Sequence, residues 1–235
     1  MADRECPAPT VAPVSVPRHP ARYSDALLSH MARMLSGRRR ILDPFGGVGG
    51  VFRLAAWLPD AQIDAVEIEE EWAAADRRMT HGNALSLPWP AATFDAICTS
   101  PTYGNRMADH HTARDATRRN TYRHALGRPL SGDNSGALQW GDQYRDFHAL
   151  AWAEARRVLA PGGVFVLNCK DHIRRGVIQH VTGWHISELE RIGFRLIDRI
   201  DVPVPGQRFG ANGHLRAEHE TVAALLLTDG GPYAK

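Results

Sequence analysis

Short β-type runs alternate with helical patterns along most of this chain. That alternation restricts it to an open α/β sheet covered on both faces. Arg40-Ile41-Leu42 reads as a strand, with a helix following at about Val51 to Leu58. Ile63 to Ile68 is the next strand, a helix starts near Glu69, and Phe94 to Cys98 is a further strand. A helix from about Tyr144 to Leu159 stops at Pro161-Gly162-Gly163, ahead of a strand at Val164 to Asn168. A helix over about Thr182 to Ile192 and strands at Phe194–Val202 and Glu220–Leu227 complete the pattern. Before it, Leu27, Leu28, Met31 and Leu35 recur at helical spacing between Ser24 and Gly37. The expected organisation is a flexible, proline-rich arm over 1–20 and one domain over 21–235, with an insertion at 104–143.

With 235 residues, 43% of them hydrophobic, such a domain needs no disulfide or metal staple. Cys6, Cys98 and Cys169 are odd in number and form no CxxC pair, which points to a reduced, cytoplasmic protein. No apolar run is long enough to span a bilayer, so no membrane partner is expected. The net charge of +2 does not by itself announce a nucleic-acid partner. Only Lys170 and Lys235 of the 28 basic residues are lysines; arginine suits bidentate contact with phosphate or base edges, but codon bias gives the same excess.

Asp43-Pro44-Phe45-Gly46-Gly47-Val48-Gly49-Gly50 lies between a strand and a helix, where glycines let the backbone turn tightly and approach a ligand. It is neither GxGxxG nor a P-loop. Asp43 stands at the strand end where a phosphate would otherwise rest, which suits a cofactor carrying an amino acid and a sulfonium cation. Glu67 ends the next strand, where an acid accepts hydrogen bonds from a ribose diol. His81-Gly82-Asn83-Ala84 is a turn whose Asn side chain can bond an adenine edge; Asn in such a place is also ordinary turn chemistry.

The strand at Ala96-Ile97-Cys98 runs into Thr99-Ser100-Pro101-Thr102-Tyr103-Gly104-Asn105-Arg106. Here the chain resembles the amino-methyltransferases of DNA, whose signature is Ser/Asp/Asn-Pro-Pro-Tyr/Phe. Asp43-Pro44-Phe45-Gly46-Gly47 is similar to the family's cofactor turn, Glu67 to its ribose acid, and the helix at Ser24 to Leu35 to its pre-turn helix. The resemblance covers roughly 20–103 and 145–226. It implies a Rossmann-like class I methyltransferase fold, with a mostly parallel seven-stranded sheet and helices on both faces. It implies S-adenosyl-L-methionine as cofactor, held by Asp43, Pro44, Phe45, Gly46, Gly47, Gly49, Glu67, Ile68, Asn83 and Ala84. Ser100, Pro101 and Tyr103 are the expected catalytic residues, and DNA the expected partner.

The chemistry explains these residue types. An exocyclic amino nitrogen is a poor nucleophile because its lone pair is delocalised into the ring. Hydrogen bonds to the Ser100 hydroxyl and the Pro101 carbonyl would favour a pyramidal nitrogen, and proline presents that carbonyl rigidly. Tyr103 would stack on a base flipped out of the duplex. A sulfonium donor needs neither a metal nor a cysteine nucleophile, so Cys98 reads as buried packing. Ser before the proline favours cytosine-N4 over adenine-N6 as target. Thr102 departs from the family's second proline; the departure loosens the loop, shifts the substrate class, or marks a chain that binds cofactor without transferring.

The polar insertion holds Arg106, Arg114, Arg118, Arg119, Arg123 and Arg128 with Tyr122 and Trp140 interleaved, which suits phosphate contact, duplex wedging or base stacking. Thr99, Thr102, Asn105, Arg106, Arg118 and Arg119 are the expected substrate contacts. His110-His111 lacks a matching cluster, so no metal is expected. The family's usual reader is larger, which implies a short target, low specificity, a homodimer or a helper subunit. Lys170 or His172 can touch the substrate backbone or simply end a strand. Gln207 to Arg216 is a basic loop, and His219-Glu220 supports the sheet edge. An RNA amino-methyltransferase and an inactive cofactor-binding module remain as alternatives.

Overall fold

A computed structural model describes residues 16, 18–104, 121–204 and 217–228 of the chain. Its central sheet is built from β1 (Arg40–Asp43), β2 (Gln62–Glu67), β3 (Met79–His81), β4 (Phe94–Thr99), β5 (Leu159–Cys169), β8 (Phe194–Pro203) and β9 (His219–Leu227). The spatial order is β3-β2-β1-β4-β5-β9-β8. The first five strands run parallel, and β9 is antiparallel to both of its neighbours, β5 and β8. A separate two-stranded hairpin, β6 (His172–Arg174) and β7 (Val177–Gln179), follows β5.

Side chains alternate across the strands and divide the core into two layers. Leu42, Val66, Ile97, Phe165 and Leu167 face α4 (Asp142–Val158) and α5 (Val181–Arg191), with Tyr144 and Trp152 fully buried there. Ile41, Ala65, Cys98, Val164 and Val166 face α1 (Asp25–Met34), which buries Leu27, Leu28, Met31 and Ala32 along one stripe. Ser24 caps α1 by accepting from the Leu27 N–H. The chain reverses its winding between β1 and β4, and the crevice beyond the carboxyl ends of those strands is where such sheets bind ligands.

The α/β alternation is as expected, with three local differences. The segment after the glycine turn is a 3-10 helix, Gly50–Ala56, not an α-helix; it starts from a left-handed Gly49 with no side-chain cap, so the first turn tightens. The helix near Glu69 is a single turn, α2 (Glu70–Ala73), before the chain drops into β3. Pro161-Gly162-Gly163 does not separate helix from strand: α4 passes directly into β5. The glycines form an irregularity there, between the pairs Phe94↔Leu159 and Ala96↔Val164. β3 and the β6–β7 hairpin had no clear periodicity to announce them.

Candidate active site

Asp43 closes β1 and is 1% exposed. Its Oδ1 accepts from the Thr99 hydroxyl at 2.6 Å and from the Phe45 N–H at 2.9 Å, so the ends of β1 and β4 are joined at the crevice. Oδ2 is buried without a hydrogen-bond partner of ordinary geometry, although the Tyr23 hydroxyl is near enough to favour the ionised form. Burial pushes the carboxyl up to about 6. Beyond Pro44 and Phe45 the turn tightens. Gly46 donates to the Val66 carbonyl at 2.8 Å, and a Cβ there would lie 2.6 Å from the Met79 sulfur. Gly47 has φ +56° and donates to Glu67 Oε2 at 2.8 Å, a conformation that glycine alone adopts freely.

Glu67, at the end of β2, accepts from Gly47 with one oxygen and from the Glu69 N–H with the other, at 2.9 Å. Burial pushes it up to about 7. Ile68, Gly82, Asn83 and Ala84 line the cleft beside it, with Pro44, Phe45, Trp72 and Phe147. The cleft holds about 770 Å³ of empty space, part of it open to solvent, within the range of small-molecule sites. Asn83 spends its oxygen on the Leu85 N–H at 2.9 Å and donates to Asp133 at 3.0 Å.

Ser100, Pro101, Thr102 and Tyr103 line the other part of the same cleft. The Ser100 and Tyr103 hydroxyls are 2.9 Å apart. Asn168, 1% exposed at the end of β5, points its amide nitrogen at both, at 3.3 and 3.2 Å, and donates to Glu220 Oε2 at 2.9 Å. Tyr103 reaches the same Glu220 oxygen at 3.5 Å, and Asn168 Oδ1 is buried without a partner. The His219-Glu220 pair thus does more than support the sheet edge: it opens β9, which lies between β5 and β8, and Glu220 enters the motif's hydrogen-bond set. Asn168 was likewise legible only as a strand end. Behind the loop, the Trp152 N–H donates to His185 Nδ1 at 3.0 Å, and His185 Nε2 lies 2.9 Å from the Tyr144 hydroxyl. Since Nδ1 accepts, a neutral ring carries its proton on Nε2. Tyr144 then donates to the Thr102 carbonyl. Burial holds His185 well below the ordinary histidine range.

The described part of the insertion, from 121 on, folds over the cofactor-turn side of the cleft. Tyr122 packs beside His19 and Trp72, at ring distances of 5.5 and 6.1 Å. Glu69, fully buried, accepts from the Ser131 N–H at 2.8 Å, the Ser131 hydroxyl at 3.0 Å, Asn134 at 2.7 Å and Arg128 at 2.7 Å. Burial alone would raise Glu69, but these bonds hold it below the usual carboxylate range. Arg128 also grips Glu71, so this arginine clasps carboxylates where phosphate contact was an expectation. Trp140 packs on Tyr144 and Trp184, with the Arg145 guanidinium over its ring at 5.2 Å. Tyr122, expected from the sequence as an aromatic of the insertion, lines the cleft, and His19, Trp72, Asn134 and Ser135 are cleft residues that no sequence signal marked. Asn105, Arg106, Arg114, Arg118, Arg119 and His110-His111, and the basic loop before Arg216, lie outside the described residues. Cys98 and Cys169 are buried and free. Among the described residues no group of His, Cys, Asp and Glu is placed to hold a metal ion, and no helix is long and apolar enough to cross a membrane.

Solved structures share this architecture at low identity. PH0226 protein from Pyrococcus horikoshii OT3 is 14% identical, over 87% of this chain and 89% of that one, with a TM-score of 0.54. The [4+2]-cyclase SpnF is 15% identical over 89% and 85%, with a TM-score of 0.53. N-methyltransferase NodS from Bradyrhizobium japonicum WM9 is 16% identical over 86% and 94%, with a TM-score of 0.52, and is also solved in complex with S-adenosyl-L-homocysteine. No curated protein matches. The fold is that of the Rossmann-like class I methyltransferases. Residues 94–229, which run from β4 through the Ser-Pro-Thr-Tyr loop to β9, match the N6_N4_Mtase family of DNA methylases, and the chain belongs to that family. It is therefore an S-adenosylmethionine-dependent methyltransferase. The residues present fit that cofactor: Asp43 keeps one buried oxygen without a hydrogen-bond partner of ordinary geometry beside the glycine turn, and Glu67 presents a second buried carboxylate to the cleft beside Phe45, Val66, Ile68 and Trp72.

Proposed function

We propose that the chain methylates the exocyclic amino nitrogen of a base in DNA, cytosine N4 ahead of adenine N6, on a nucleotide flipped out of the duplex. One observation carries this reading: Ser100 and Tyr103, hydrogen-bonded with Asn168 and Glu220, line the same cleft as Glu67 and the turn residues Pro44, Phe45 and Gly47 that follow Asp43. S-adenosylmethionine, when bound, supplies a methyl group on a positively charged sulfur. Asp43 and the glycine turn would hold its amino-acid part, Glu67 its ribose, and Ile68, Asn83 and Ala84 its purine. NodS, of similar fold, is solved with the spent cofactor, which supports the cofactor class.

The target amino group would donate one hydrogen to Ser100 Oγ and one to the Pro101 carbonyl, which frees its lone pair. A methylated amino nitrogen must lose one proton. The Ser100 and Tyr103 hydroxyls form a route for it toward the Glu220 carboxylate. Tyr103 supplies the face on which the base stacks, offsetting the cost of unstacking. Thr99 acts through Asp43, and Thr102 through the insertion; neither is left free to read a base. Ser100, where adenine enzymes of the family carry Asp or Asn, favours cytosine.

The test is incubation with isotope-labelled S-adenosylmethionine and separate duplex DNA, single-stranded DNA and RNA, followed by digestion to nucleosides and mass spectrometry. Label on N4-methyldeoxycytidine is expected. Label on RNA alone would move the substrate class. No label in any arm, with cofactor binding intact, would overturn the reading in favour of an inactive module.

A further inference from the structure

The β6–β7 hairpin takes no part in the cleft, yet it leaves Val177 62% and Ile178 52% exposed. Its pairs are His172↔Gln179, Ile173↔Ile178 and Arg174↔Val177, so Arg175-Gly176 forms a two-residue turn. Both turn residues are left-handed, at φ 51° and 79°, as the favoured hairpin turn requires. Glycine or asparagine suits the first position; arginine there is strained. A strained residue that the fold does not need points to a role outside the fold. No ion pair involving Arg175 forms among the described residues.

The hairpin's position supplies the role. It rises from the carboxyl end of β5, next to Asn168. Arg174 donates to the Trp140 carbonyl at 3.0 Å, and the Trp140 N–H donates to the carbonyl of Gly104, the residue after Tyr103, at 2.9 Å. The apolar tip is thus tied to the catalytic loop. Each arm is ~10 Å long. Arg175 stands at the tip and Lys170 at the base of the hairpin, while Asp171 accepts from the Thr182 N–H at 2.8 Å. Exposed branched side chains beside an arginine that forms no ion pair among the described residues suit neither solvent nor a protein core. They suit a stacked, negatively charged duplex, in which aliphatic wedges part neighbouring bases.

We propose that the β6–β7 hairpin is a duplex wedge. Val177 and Ile178 press against the bases next to the extruded nucleotide, and Arg175 neutralises a phosphate. This rests on the proposed action on DNA and adds the element that opens the double strand.

Two variants test it, neither in the cleft. Val177→Ser combined with Ile178→Ser should lower turnover on duplex DNA roughly tenfold or more, while the same sequence as a single strand is methylated as before. Arg175→Asn should melt no lower than the parent, because asparagine tolerates the turn, yet lower the slope of log affinity against log salt on duplex by about 0.9. Equal losses on both strand forms, or none, would overturn the wedge. So would sedimentation showing a dimer that the serine variant dissolves, since the tip would then meet a second copy. If the parent methylates no nucleic acid, the proposed function fails by itself; fluorescence anisotropy with a labelled duplex still judges the hairpin, and unchanged binding by both variants overturns it.

Discussion

The Thr102 hydroxyl donates to the Ser135 carbonyl at 3.1 Å and lies 3.2 Å from the Ser135 hydroxyl, which ties the Ser-Pro-Thr-Tyr loop to the insertion. A proline, as the family's motif carries at this position, has no such donor. The departure from the motif therefore has a structural use, and Thr102→Pro is expected to lower turnover. Thr102→Val should lose about 1 kcal/mol of stability, and Thr102→Ser should restore it. Thermal melts and steady-state kinetics check both, and a rise in activity in the proline variant would mean that the tie is a defect.

Glu69 gathers four donors from the insertion around one buried carboxylate. Glu69→Ala leaves those donors without an acceptor, an expected loss of about 1 to 3 kcal/mol. Hydrogen exchange should rise over residues 128–135 before anywhere else, and the cofactor should dissociate faster. Uniform exchange across the domain would show that the clasp has no local effect.

Burial raises Asp43 from 3.8 to about 6 and Glu67 from 4.5 to about 7. Both hold protons longer folded than unfolded, so their contribution to the stability of the cofactor-free protein falls as pH rises from about 4 to 7. Relative to Glu67→Gln, the parent should lose at most about 3 kcal/mol across that window. A cationic ligand reverses the preference. Cofactor affinity should rise with pH through the same range, by up to about tenfold per unit for each group, with proton release in calorimetry. A flat affinity profile would remove both carboxyls from the cofactor's contacts.

The two parts of the cleft should separate by mutation. Asp43→Ala is expected to abolish cofactor binding. Tyr103→Ala should spare it and stop transfer. Glu220→Gln keeps the bulk and a hydrogen-bonding group next to Asn168, so it should lower kcat with little change in cofactor affinity. Calorimetry beside single-turnover kinetics tells these apart; equal loss of cofactor affinity in all three would dissolve the division of roles.

The sheet and both motifs were legible because each is local. Short apolar runs announced β1, β2, β4 and β5, and Asp43 to Gly50 and Ser100 to Tyr103 are contiguous stretches at strand ends. What escaped was assembled from distance. Glu220 reaches Ser100's neighbourhood only because β9 inserts beside β5, and a chain folded in any other strand order would place it elsewhere. Asp133 and Ser135 met the motifs through one or two hydrogen bonds from a polar segment that carries no periodicity. The 3-10 helix after Gly49 was hidden for a different reason: helical spacing over so short a run does not distinguish the tighter turn.

Glu67 and Glu69 are near neighbours in the chain, with Glu67 accepting the Glu69 N–H, and their carboxylates face opposite duties. One holds the glycine turn and the other holds the insertion. A ligand that draws Glu67 away from Gly47 loads the peptide on which Glu69 hangs. Reciprocity of binding free energies then makes the coupling run both ways: whatever nucleic acid does to steady the insertion, it must return as an equal factor in cofactor retention. If nucleic acid steadies the insertion, that short stretch of main chain would serve as a thermodynamic lever between the two substrates.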